Sequence, residues 1–147
     1  MKNLILAGLL AAFAGTAQAE LRSKISANSV EDTMAKLEAA VEGAGATIFA
    51  KVDHAAGAEA AGMDLAPAQL LIFGNPQLGT PAMQDDPLAG LALPLRILVF
   101  ENADQLAVVA WETPDTFFDG LNIAEDAEYR MRMAQALETL TDAAVSD

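Results

Sequence analysis

The sequence predicts an α+β fold, a two-layer sandwich in the order β-α-β-β-β-β-α, with a mainly antiparallel sheet and helices on one face. Three observations predict it. Two long stretches carry apolar residues at three- and four-residue steps, which is helical spacing. Five short runs between and around them are apolar and bounded by Gly, Pro, Asn and Asp. The last two runs are joined by a short polar turn alone, as in a hairpin. An order of strand, helix, several strands and helix favours helices packed on one side of an antiparallel sheet.

The first segment reads as an address. Lys2 gives a positive start, residues 4–14 (LILAGLLAAFA) form an apolar run, and Ala17-Gln18-Ala19 matches the small-x-small cleavage pattern. A membrane-spanning helix needs about 20 apolar residues. Thr16 and Gln18 interrupt this run too early for that, and no Cys follows to accept a lipid. The expectation is a signal peptide over residues 1–19 cleaved after Ala19, an exported chain (periplasmic or secreted), and no membrane insertion of the mature part. Residues 20–147 are expected to form a single domain.

Residues 21–27 follow as a half-buried strand, with Leu21, Ser23, Ile25 and Ala27 alternating against Arg22, Lys24 and Ser26. Ser29 with Asp32 three residues on is a capping box. It opens a helix whose apolar face is Val30, Met34, Leu37, Val41 and Ala44, ended by Gly43 and Gly45. Thr47 to Asp53 is a second strand, and the Ala-rich residues 55–61 a short helix stopped by Gly62. Gln69 to Phe73 is a third strand, turned by Gly74-Asn75-Pro76. Gly79, Pro81, Pro87 and Gly90 mark residues 77–93 as a loop with one helical turn near Leu88 to Leu91. Leu95–Phe100 and Leu106–Trp111 pair across the turn Glu101 to Gln105. A long helix closes the chain from about Glu125 to Val145, with Tyr129, Met133, Leu137, Leu140 and Ala144 inward.

Composition removes several function classes. The 147 residues hold 8 Lys and Arg against 21 Asp and Glu, a formal charge of −13. Loss of Lys2 with the leader makes this 7 against 21, or −14. A chain so acidic repels a nucleic-acid backbone and an anionic membrane surface. Hydrophobic residues at 53% exclude disorder, and the absence of Cys excludes a disulfide scaffold. No serine stands in a nucleophile elbow or triad context, and no pair of acids is set in an apolar environment.

Three blocks carry a family resemblance. Residues 49–58 (FAKVDHAAGA), 71–83 (LIFGNPQLGTPAM) and 91–99 (LALPLRILV) stand in the order of the domain of unknown function 302 family. The chain resembles that family over roughly residues 23–142. The resemblance implies a TATA-binding-protein-like fold of the same β-α-β-β-β-β-α order, and a homodimer. It implies no activity, and likeness of fold to a DNA binder carries no function with it.

Two groups of residues are candidates for chemistry. Asp53 and His54 stand where the second strand gives way to a helix; His54 is the chain's one His. Asp53 fits a helix cap and His54 a structural imidazole, or the pair fits ligand binding or proton exchange. Gly74, Asn75, Gly79 and Thr80 form the second group, a polar Gly-rich loop suited to a small polar ligand, or else a rigid dimer contact. It is no phosphate loop, lacking the Gly-Lys-Thr ending. Arg96 is expected to pair with Glu112 or Glu101 across the hairpin, or to hold an anion near Asn75. Met63 and Met83 with His54 make a soft donor set for Cu(I), though Met in such places also fills cores. Trp111 and Phe100 read as packing residues.

Two readings follow, neither with a cofactor. The first is an exported, non-catalytic homodimer that binds a small ligand or partner between the Asp53-His54 junction and the Asn75 to Thr80 loop. The second is an enzyme in which His54 is the general acid/base, with Asp53 or Asn75 orienting it or the substrate.

Overall fold

The computed structural model describes residues 20–147. The expected leader, residues 1–19, lies outside them. Five strands run in chain order as β1 (Leu21–Ser26), β2 (Thr47–Asp53), β3 (Ala68–Gly74), β4 (Leu95–Glu101) and β5 (Ala107–Glu112). The helices are α1 (Val30–Gly43), α2 (His54–Ala60), α3 (Pro76–Asp85), α4 (Ala89–Ala92), α5 (Pro114–Phe117) and α6 (Glu128–Val145). The sheet order is β1-β5-β4-β3-β2, and every neighbouring pair is antiparallel. The edge strands β1 and β2 therefore run the same way, and α1 crosses the sheet to join them. This is the α+β architecture expected, with α1 and α6 side by side on one face.

Local chemistry sets the boundaries. Ser29 caps α1 by accepting the Asp32 N–H at 3.0 Å, while its hydroxyl donates to the Asp32 carboxylate at 2.8 Å. At the other end, Gly45 adopts φ +72°, and Ala46 and Gly45 donate to the Val41 and Glu42 carbonyls. That pair of bonds is a Schellman ending, which a residue with a Cβ adopts only under strain. Leu37, Val41, Leu71, Phe73, Ile97 and Leu137 are at the centre of the core between sheet and helices.

Two expectations need correction. Residues 77–93 are not mainly loop: Pro76 stands at the first turn of α3, Asn75 caps it, and α4 follows. Gly79 and Pro81 read as breakers, but a helix begun by Pro and anchored by buried Ala82 tolerates them. The second correction concerns β1. A half-buried strand is expected to turn its apolar residues inward, yet Leu21 and Ile25 are 72% and 63% exposed, and Ser26 is buried. Arg22 and Lys24 face α6, where both bond Glu138.

Candidate functional site

Strand register decides which predicted residues can meet. Thr47 pairs with Gly74, and Asp53 pairs with Gln69. Asp53 and His54 thus lie at one end of the sheet and Gly74 to Thr80 at the other, separated by roughly 20 Å of strand at about 3.3 Å per residue. The single pocket expected between them does not form. Each half borders a different depression.

At the first end, Asp53 caps α2 as its side chain accepts the Ala56 N–H at 2.9 Å and the Gln69 amide at 3.2 Å. The Ala56 N–H bond, with lesser help from Gln69 and against some desolvation, holds the Asp53 carboxyl below its ordinary pKa. His54 occupies the first position of α2 and is exposed. With its oxygens engaged by an amide and a backbone N–H, Asp53 has the bonds of a cap rather than those of a dyad with His54. Beside it opens a cleft of about 750 Å³ between α2, the start of α1 and the ends of the strands. Its walls carry Glu31, Asp53, Glu59, Asp64 and Glu101 with the amides of Asn28, Gln69 and Gln105, and no Lys or Arg. Sequence reasoning found Asp53 alone of these. Glu101 ends β4, Gln105 lies in the hairpin turn and Glu31 in α1, and only the strand order brings such distant residues together.

At the other end, the Asn75 side chain accepts the Gln77 N–H at 2.9 Å as the cap of α3. Phe49, the bulged residue of β2, comes close over Gly74: a Cβ there would sit 3.4 Å from its ring and 3.5 Å from Pro94. Gly74, Asn75 and Gly79 border a notch of about 110 Å³ with Phe49, Pro94 and Met133, an apolar setting rather than the polar loop expected. Thr80 is exposed on α3. Arg96 bonds Glu112 at 3.4 Å, the cross-strand alternative. Met63 follows α2 whereas Met83 approaches Gly79 and Gly90 at the far end, so His54 and the two thioethers are not brought together. Among the described residues, no group of three or more His, Cys, Asp or Glu is placed to hold a metal ion.

A third constellation escaped the sequence reading. The Tyr129 hydroxyl donates to Asp85 at 2.7 Å, and desolvation first, then the Asp85 bond and charge, push its pKa up to about 12. Asp86 accepts the Asn122 and Leu88 N–H groups, the Asn122 bond being the main reason its carboxyl lies below the usual range. These two acids tie α3 to α6 and to the segment before it, which is a structural role.

A stretch of 77 residues, 52% of this chain, is 47% identical to proteins named fluoride-specific ion channel FluC 1 from Brucella suis biovar 1 (strain 1330) and Brucella abortus biovar 1 (strain 9-941). That stretch is 30% and 28% of those proteins, so the chain matches less than a third of their length. No helix among the described residues is long and apolar enough to cross a membrane. The crystal structure of an uncharacterized conserved DUF302 protein from Bacillus stearothermophilus superposes with a TM-score of 0.76. That match covers 84% of this chain and 97% of the other at 17% identity, which is a likeness of fold. With residues 22–143 matching the domain of unknown function DUF302, the chain belongs to that family.

Proposed function

We propose that the protein is an exported homodimeric module that binds a small polar ligand in the cleft beside Asp53. The cleft carries this reading: five carboxylates and three side-chain amides line it and no cationic side chain does. Such walls disfavour anions and suit an organic amine or a neutral donor-rich molecule. Export rests on the leader pattern of residues 1–19, and the dimer on the family resemblance. Titrating the purified protein with putrescine while following the Gln69 and Gln105 amides by NMR tests the ligand class. Saturable shifts that vanish in Glu101→Gln/Asp64→Asn support the reading. Unmoved amides up to millimolar putrescine reject an amine ligand.

The Brucella likeness favours a second reading, in which the chain serves beside a fluoride channel as a part outside the bilayer. Deletion of its gene should then raise fluoride sensitivity while the channel is still produced. Unchanged sensitivity rejects this.

A further inference from the structure

The face of the sheet opposite α1 and α6 is apolar and open. Strand alternation and register make Ile25, Val108, Phe100, Leu98, Leu70 and Ile72 neighbours there, running from the edge strand β1 across β5 and β4 to β3. Ile25 is 63% exposed, Leu70, Ile72, Leu98 and Phe100 are half-buried, and Val108 is buried between Ile25 and Phe100. In β1 Arg22, Lys24 and Ser26 take the helix side, and Leu21 and Ile25 take this side with Ser23 between them. Such an inversion is costly for a strand that meets only water on its open face.

We infer that this face is where a second copy of the chain docks, sheet on sheet. The inference deepens the dimeric part of the proposal above and rests on it. Size is the first argument. Five strands of six or seven residues present roughly 400–500 Å² per copy at about 4.8 Å between strands and 3.3 Å per residue. Two such faces reach about 1,000 Å² in all, where specific interfaces begin. Charge is the second. Residues 20–147 carry 7 basic against 21 acidic groups, so two copies repel, yet the charged residues on this face are Arg96 and Glu112, which bond each other. The repulsion is therefore least where the apolar surface is greatest. Sheets with apolar inner faces pack about 10 Å apart with strands near −30°, as in a sandwich.

Sedimentation equilibrium of the purified protein and of Leu98→Glu tests this. Leu98 is the middle residue of the central strand, paired with Leu70 and Ala110. The wild-type chain should sediment at twice its mass at micromolar concentration, and Leu98→Glu should weaken the dimer by about 100-fold or more. Arg96→Glu, which leaves the core intact and makes the face anionic, should also shift the protein toward monomer; it serves if Leu98→Glu misfolds by near-ultraviolet circular dichroism. A folded Leu98→Glu as dimeric as the wild type overturns the docking face while leaving the dimer standing. A wild-type chain that stays monomeric at high concentration overturns both, including one that binds phosphatidylcholine vesicles through this face.

Discussion

Lys24 gathers more bonds than any other cation of the described chain. Its ammonium reaches Asp142 at 2.7 Å, Thr141 at 2.9 Å and Glu138 at 3.0 Å, and lies 5.0 Å from the centre of the Trp111 ring. Burial works to lower its pKa, but the bonds to Asp142 and Glu138 prevail, and the group is held above its ordinary value. Lys24→Met keeps an unbranched side chain at this position and removes the clamp. It should cost about 1–2 kcal/mol, read from the urea midpoint. Tyr129 offers a pH test because it is the chain's one tyrosine. Its folded pKa of about 12 lies above the ordinary 10.0, so the fold favours the neutral phenol. The contribution is complete below pH 10 and is lost as pH rises from there through 12. Absorbance of tyrosinate should show the late titration directly. Tyr129→Phe should lose about 1 kcal/mol at neutral pH and show less alkaline destabilisation than the wild type. A tyrosine titrating at its ordinary pKa would refute the Asp85 bond.

The elements were legible where one local rule governs them. Ser29 and Gly45 bracket α1, Asp53 caps α2, and the polar turn falls at Asn102 to Leu106, one residue past the expected Glu101 to Gln105, because caps and turns depend on a few neighbouring residues. Residues 77–93 carry loop signals because Gly79 and Pro81 break an isolated helix, whereas here α3 packs against its neighbours and Asn75 starts it. The orientation of β1 is not legible in its sequence, because alternation gives two faces but not which one meets the helices. The site was legible in part. Asp53 was found, but its cleft partners are set by the strand order, and the distance from Asn75 follows from antiparallel pairing. Two element-scale outcomes follow. Asn75→Ala should lower stability by about 1 kcal/mol through loss of the α3 cap while leaving any titration of the Gln69 and Gln105 amides unchanged. Altered ligand affinity in that variant would reunite the two ends of the sheet in one site.

At the scale of the whole molecule, charge and apolar surface act against each other. Residues 20–147 carry 7 basic and 21 acidic groups, so every approach of one copy to another meets repulsion, and only desolvation of the open sheet face opposes it. Salt separates these two effects. The screening length falls from about 30 Å at 0.01 M to about 8 Å at 0.15 M, which weakens the long-range repulsion between copies. It leaves burial of Leu70, Leu98 and Phe100 nearly untouched. The dimer should therefore tighten as sodium chloride rises over that range, with the midpoint of a sedimentation dilution series moving to lower protein concentration. An interface held instead by ion pairs between copies, with Arg96 of each on an acid of the other, would loosen over the same range. A dimer that dissociates on adding salt would thus replace the apolar sheet face by an electrostatic contact, and the Arg96–Glu112 bond would then have to break for two copies to meet.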